Sequence, residues 1–385
     1  MSLPPTIASE TPSDHRRRGR LRDFWHRVSE GRQIDDLWKQ FTADARASYG
    51  FYGKDVDWDE AKRRRGVRRI IHVVKQFFWA LMLKLSPARR VLLLIALLMM
   101  VISNIKINTG DQAVDLQLEP LAAVLILFLL SLELADKVVM KRDLEIAREI
   151  QSWLVPSKPP QVPGGDIAFA TRPQNSVAGD YYDAFYPRLS AAEGGKLVLV
   201  VADVAGKSVP AALLMATLQA SLHTVAGEDA PLAELVARLN RYASAHSLDG
   251  LRFTTAILGQ YDPSVRRLTY VNAGHNAPVL RRADATIEKL EVGGLPLGIA
   301  SSAAFETADI DLRPGDALIL YTDGVVEAFN HAGEEYGNDR WFAAIRALPP
   351  GSAQDSLQYL MRGVDAFVGA TRQSDDITCL VFRCV

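Results

Sequence analysis

The sequence predicts a layered α+β domain over residues 161–385, preceded by a helical, apolar and basic region. Three observations carry this. Strand-type runs rich in Val, Ile, Leu, Thr and Tyr stand at 197–202 (LVLVVA), 254–259, 268–272, 278–280, 317–321 and 377–382. Apolar periodicity of the helical kind falls at 209–226, 231–247 and 353–367. These elements are grouped rather than strictly alternating, and the hairpin-like spacing within 254–280 implies antiparallel pairing, so the domain is not doubly wound.

Composition sets the frame for the rest. With 385 residues, 23% charged and 48% hydrophobic, the chain has room for two or three units and is not disordered as a whole. The net charge of −1 hides a split. Residues 1–90 hold 20 Lys/Arg against 11 Asp/Glu, and the remainder holds 24 against 34. Such a split implies a basic arm facing a polyanion, either membrane lipid or nucleic acid. The apolar blocks that follow favour lipid, so no nucleic-acid partner is expected. Cys379 and Cys384 lie five apart in a strand-type run, on opposite faces, and are not expected to bridge. The first thirty residues lack the apolar core of a cleaved signal.

In chain order, residues 1–20 read as a disordered tail. Residues 21–90 read as a basic, partly helical cytoplasmic or interfacial region. It carries Lys62, Arg63, Arg64 and Arg65, then Phe77, Phe78 and Trp79 beside Lys75 and Lys84. Cations next to rings suit a helix lying at a membrane surface, and a soluble amphipathic helix is the alternative. The blocks VLLLIALLMMVI (91–102) and LAAVLILFLLSL (121–132) are short for spanning helices, which need about 20 predominantly apolar residues; buried core helices are the other reading. Arg89 and Arg90 precede the first block; Lys137, Lys141 and Arg142 follow the second. The loop between holds Asp111, Asp115 and Glu119 against Lys106. That distribution favours a two-span transmembrane hairpin over 91–135 in the inner membrane, with the globular domain in the cytoplasm. A helix follows over 133–155, with Val139, Ile146, Ile150 and Trp153 in one stripe, ended by Pro156, Pro159 and Pro160. This linker, 136–160, can bury its stripe against a second copy in a homodimer or on the domain that follows.

Four carboxylates stand at predicted strand ends or in tight glycine-containing turns. Asp180 lies in AGDYYD, Asp203 ends LVLVVA, Asp323 follows ALILYT, and Asp376 precedes the last strand in SDDIT. Strand ends aim side chains rigidly, and an all-carboxylate set suits hard cations such as Mg²⁺ or Mn²⁺ rather than zinc. Most single Asp-Gly turns are merely turns. The Gly206-Lys207-Ser208 triplet is too short to be a nucleotide-binding loop, since Val201 stands where that motif needs Gly.

The series GDYYD (179–183), DVAGKSVPAALLMA (203–216), AGHNAP (273–278), GGLPLGI (293–299), LRPGDALILYTDGVVEAFN (312–330) and SDDIT (374–378) resembles the type 2C (PPM) protein phosphatases. More narrowly it resembles their bacterial SpoIIE-like and RsbU-like branch, as does LEIAREIQSWLVP (144–156) just upstream. The resemblance implies an αββα sandwich of two antiparallel sheets flanked by helices, and a centre for two Mn²⁺ or Mg²⁺ ions. It implies Asp180, Asp203, Asp323 and Asp376 as ligands, with Asp203 bridging and the Val204 carbonyl beside it. Asp183, Gly324 and His275 take supporting positions. Two residues depart from the pattern: Ala178 and Ser208 stand where Gly is usual. The phosphate-gripping arginine of eukaryotic relatives has no clear counterpart, Arg172 being the nearest. His275 reads as a structural histidine or as a general acid.

By resemblance the activity is hydrolysis of phosphoserine or phosphothreonine on a bacterial signalling protein, the branch's usual substrate being an anti-sigma-factor antagonist. A non-catalytic signalling module on the same fold is the alternative, disfavoured because all four aspartates are present.

Overall fold

The structure is a computed structural model and describes residues 67–103, 107–109, 112–114, 118–187, 195–227, 230–247 and 252–385. The expected tail at 1–20, most of the basic region, and the loop charges Lys106, Asp111 and Asp115 lie outside the described residues. The chain divides into two compact units, residues 1–136 and 137–385.

In the first unit, α1 (Val67–Lys84) leads into α2 (Pro87–Ile102). Pro87 opens α2, where its missing N–H costs nothing and its fixed φ suits the helix. Arg90 donates to the carbonyls of Leu83 and Leu85 at 2.9 and 3.0 Å, closing the open carbonyl end of α1. A small hairpin of β1 (Ile107–Thr109) and β2 (Gln112–Val114) interrupts the expected plain loop. Then α3 (Glu119–Leu154) begins. Its first part runs antiparallel to α2 and is tied at both ends. Arg89 bonds Glu133 at 2.9 Å and Asp136 at 2.6 Å, and the Leu118 N–H donates to Ser103 Oγ at 3.2 Å. Ala96 and Ala122 are fully buried, whereas Leu98, Val101, Leu121, Val124, Leu127 and Leu130 are exposed.

No turn separates the second apolar block from the linker. The second apolar block and the linker form one unbroken helix of 36 residues, because nothing between Leu132 and Leu154 is Pro or Gly. The helix stops at Leu154, so residues 155–160 are not helical. The stripe residues Val139, Ile146, Ile150 and Trp153 are exposed.

The second unit stacks two sheets between two helical layers. Sheet I has the order β10-β7-β6-β5-β4, with β11 also on β7. Its strands are β4 (Tyr181–Phe185), β5 (Leu197–Val204), β6 (Thr254–Asp262), β7 (Arg267–Ala273), β10 (Gly293–Gly294) and β11 (Ala308–Asp311). Sheet II has the order β3-β13-β12-β8-β9. Its strands are β3 (Gly165–Arg172), β8 (Val279–Arg281), β9 (Ile287–Lys289), β12 (Ala317–Tyr321) and β13 (Ile377–Cys384). Pairing is antiparallel throughout except for the two-residue β10–β7 pair, which is parallel.

Leu197, Leu199, Val201, Leu318, Leu320, Leu380 and Phe382 fill the space between the sheets. Their neighbours in sequence point outward. Val200 and Ala202 meet α4 (Ser208–Ala226) and α5 (Leu232–Ala245) on sheet I. Ile319, Tyr321 and Val381 meet α6 (Gly337–Arg346) and α7 (Ala353–Val368) on sheet II. Central strands buried on both faces must be apolar at every position, which is why 197–202 and 317–321 read as unbroken apolar runs. Cys379 lies in the outer layer and Cys384 between the sheets, both buried and free, on opposite faces as expected. Among the described residues, one helix is long and apolar enough by itself to cross a membrane; it is α4, which packs Ala211, Met215 and Leu222 into the sandwich.

This topology places the candidate aspartates. In sheet I, Tyr181 pairs with Ala202, so the start of β4 lies beside the end of β5. In sheet II, Tyr321 pairs with Cys379, so the end of β12 lies beside the start of β13. Asp180 and Asp203 come from the first junction, Asp323 and Asp376 from the second.

Candidate metal centre

Asp180 is almost fully buried, and its Oδ2 accepts the Thr322 hydroxyl at 2.9 Å. Burial and then the neighbouring Asp203 hold its carboxyl well above the usual range, opposed by hydroxyl bonds from Thr378 and Thr322. Asp203 is pushed up to about 7, first by burial and then by Asp323, Asp375 and Asp376, with Lys207 opposing. Asp323 is raised by burial and by Asp375. Asp376 is held differently: its Oδ1 accepts the Gln174 N–H and its Oδ2 the Gly179 N–H, both at 2.6 Å. The four expected aspartates thus share one electrostatic neighbourhood. Asp375 and Lys207 join them, and both were missed as site residues in the sequence because they read as loop and motif filler.

Two glycines make the approach possible. A Cβ on Gly324 would lie 1.9 Å from the Asp376 carbonyl oxygen, so only Gly lets the turn of Asp323 press against the loop of Asp376. A Cβ on Gly179 would lie 3.3 Å from the Val204 carbonyl and 3.8 Å from Asp203 Oδ1. The Val204 carbonyl therefore sits beside the Asp180 loop.

Two departures from pattern resolve differently. Ser208 takes φ 61°, the left-handed conformation that favours Gly. Ala178 is buried, and its backbone is held by Gln151.

His275 is structural. Its Nε2 donates to the Tyr321 carbonyl at 3.1 Å, which leaves Nδ1 to accept the Thr255 hydroxyl at 2.8 Å. Its own N–H and C=O bond Asn272 at 2.7 and 3.0 Å. Burial pushes the imidazole down to about 4. A neutral ring with both nitrogens occupied has no proton to offer a leaving group, so the general-acid reading falls. Asp183 is not brought to the cluster. Strand alternation in β4 turns Tyr181, Asp183 and Phe185 toward α4, and Asp183 bonds Tyr181 Oη and His223 Nε2, each at 2.8 Å. Phe185 stacks on His223 with ring centroids 3.9 Å apart. Arg172 is committed to a two-pronged pair with Asp365 on α7.

The donor chemistry fits hard divalent cations. The cluster offers oxygen only, its carboxylates repel one another, and the half-exposed Lys207 opposes them. Among the described residues, no three His, Cys, Asp or Glu side chains stand close enough together to hold a metal ion as they are placed.

A family model described as Stage II sporulation protein E (SpoIIE) matches residues 193–385. The chain belongs to that family. The SpoIIE match takes in Asp203, Asp323 and Asp376; Asp180 and Asp183 precede it. Phosphoserine phosphatase RsbU of Bacillus subtilis (strain 168) is 30% identical over 189 residues, 49% of this chain and 54% of that protein. This SpoIIE-family chain spans about half the length of the curated relatives it matches. Two solved structures share the fold. The SiaA-PP2C domain of Pseudomonas aeruginosa is 20% identical, with a TM-score of 0.54 over 65% of this chain and 98% of that one. The PP2C phosphatase domain of SpoIIE from Bacillus subtilis, with a fragment of its regulatory domain, is 21% identical, with a TM-score of 0.50 over 57% and 61%.

Proposed function

We propose that residues 161–385 are a Mn²⁺- or Mg²⁺-dependent protein serine/threonine phosphatase. The observation that carries this is the convergence of Asp180, Asp203, Asp323 and Asp376 from two strand junctions on two sheets. Asp203 would be a central ligand, since Asp323, Asp375 and Asp376 all act on it. Asp180, Asp323, Asp376 and the Val204 carbonyl complete the set for two ions. When bound, divalent ions supply Lewis acidity toward a phosphoryl group and bring the pKa of water toward neutrality. The chain's own residues hold the ligands. Thr322 and Thr378 fix Asp180, the Gly179 and Gln174 amides fix Asp376, and His275 ties the end of β12 to the β7–β8 corner.

The substrate is a phosphoserine or phosphothreonine on a signalling protein: likeness to phosphoserine phosphatase RsbU supports the phosphoserine, and the resemblance to the SpoIIE-like and RsbU-like branch makes an anti-sigma-factor antagonist the candidate. The hairpin of α2 and α3 anchors the protein in the inner membrane. Its support is the row of exposed apolar side chains on both helices and the cations at both ends. The exposed stripe of Val139, Ile146, Ile150 and Trp153 supports a homodimer through the later part of α3. The deciding experiment is hydrolysis of phosphoproteins and of an aryl phosphate by the purified full chain. Activity that needs Mn²⁺ or Mg²⁺, stops with chelator and is lost in Asp203→Asn supports the reading. Metal binding without turnover on any substrate supports the non-catalytic alternative. Recovery of the intact chain in the soluble fraction without detergent removes the anchor.

A further inference from the structure

The last turn of α3 carries a side chain that reaches the metal centre through one residue. Gln151 Nε2 donates to the Ala178 carbonyl at 2.8 Å, and Gln151 Oε1 accepts the Ala178 N–H at 3.0 Å. Both ends of one amide thus hold both backbone groups of one residue. Ala178 is buried, and among the described residues these backbone groups have no other protein partner. Losing Gln151 would take from both their shared partner.

What Ala178 leads into gives the contact its meaning. The next residue, Gly179, donates its N–H to Asp376 Oδ2 at 2.6 Å and packs against the Val204 carbonyl and Asp203. The residue after that is Asp180. Three consecutive residues therefore join α3 to one candidate ligand directly and to two others by a hydrogen bond and by packing. Val155, just past the end of α3, packs against both sheet I cores and fixes where the helix ends. Gln is the residue type this geometry needs. Glu lacks the donor for the carbonyl, and Asn is one methylene shorter.

We infer that Gln151 is a positioning residue that sets the metal affinity of the centre by holding the 178–180 segment in its ligating place. The inference rests on the metal-centre reading above. It makes the end of α3 a lever on cation binding, distinct from any contact with substrate.

The test uses the full chain with its amino-terminal region, in detergent, titrated calorimetrically with MnCl₂ alone. Gln151→Ala, Gln151→Asn and Gln151→Glu are each expected to weaken Mn²⁺ binding about tenfold or more. Turnover of an aryl phosphate at saturating Mn²⁺ should stay within about threefold of wild type, because no group that meets the substrate has changed. An unchanged Mn²⁺ affinity in Gln151→Ala, with only a lower Tm, would mean the contact merely stabilises the fold and would overturn the inference. Amide exchange on the unmutated protein covers the case of variants that fail to fold. Added Mn²⁺ should protect residues 148–154 together with 178–180, and protection of the second segment alone overturns the inference. A wild-type chain that binds no Mn²⁺ instead overturns the metal-centre reading.

Discussion

Lys207 places its ammonium 2.8 Å from Asp375, not on any of the four candidate ligands, and adds a bond to the Ser374 carbonyl at 3.2 Å. It sits at the entrance to α4, four residues beyond Asp203, and opposes the charge of both Asp203 and Asp323. A fixed cation competes with a mobile one for the same carboxylates. Lys207→Met is therefore expected to tighten Mn²⁺ binding. The pair is largely exposed and worth about 0.2–1 kcal/mol, so the gain is at most about fivefold. Calorimetric titration with Mn²⁺ checks it, and weaker binding would show that Lys207 chiefly braces the loop of Asp376.

Asp203 makes the metal-free protein sensitive to pH. Its carboxyl is raised in the fold, so the folded state binds more protons than the unfolded state between the ordinary Asp value and about 7. Its contribution to stability is complete at low pH and is lost as pH rises toward 7. The Tm of the chelated protein should fall across that window and then level off. Mn²⁺ should restore it, and Asp203→Asn should flatten the decline while abolishing metal binding. Each 1 kcal/mol corresponds to about 2–4 °C in a domain of this size. A metal-free Tm that climbs from pH 5 to 7.5 would contradict this.

Thr322 serves two partners with one hydroxyl. It donates to Asp180 at 2.9 Å and accepts the Thr378 N–H at 3.0 Å. Thr322→Val keeps the shape, takes this acceptor from the Thr378 N–H and leaves Asp180 with the Thr378 hydroxyl alone, at a cost of about 1–3 kcal/mol. Thr322→Ser should retain most stability. Chemical denaturation of the two variants side by side measures the difference.

Gly324→Ala should inactivate and destabilise together. The added methyl would collide with the Asp376 carbonyl, and backbone cannot yield as a side chain end can. Overpacking of this kind costs about 1–3 kcal/mol. Turnover and Tm measured on the same preparation give the answer, and a variant normal in both would mean the two loops part freely.

Ser208→Gly should stabilise. Ser208 is exposed and holds φ 61°, where a side chain costs about 1–2 kcal/mol and Gly costs little. An increase in Tm of about 2–4 °C per kcal/mol is expected, with unchanged turnover.

The sequence made the central strands legible because burial on both faces demands unbroken apolar runs, and β12 falls at 317–321 as expected. It did not reveal β3, β4 or α6. The run GDIAFATR of β3 and the short YYDAF of β4 are interrupted by Asp and small residues, and GNDRWFAAIR of α6 opens on turn-forming Gly and Asn. The four aspartates were legible as strand-end residues. Thr322 and Thr378 were not, because a hydroxyl's role depends on which carboxylate the opposite sheet delivers to it. The fate of Asp183 could have been read from the period of two, which puts it on the same face as Tyr181 and Phe185. Gln151 lies within LEIAREIQSWLVP, but its partner lies 27 residues away across a chain reversal.

The division of the aspartates between two strand junctions has a consequence during synthesis and decay of the protein. One sheet formed alone gathers two of the four, and the span from Asp180 to Asp376 covers most of the second unit. Cation uptake then reports completion: a nascent chain, a proteolytic fragment or a partly melted molecule carries carboxylates but no assembled centre. On the proposed reading, turnover is thereby confined to finished molecules, and a damaged one is expected to be inactive.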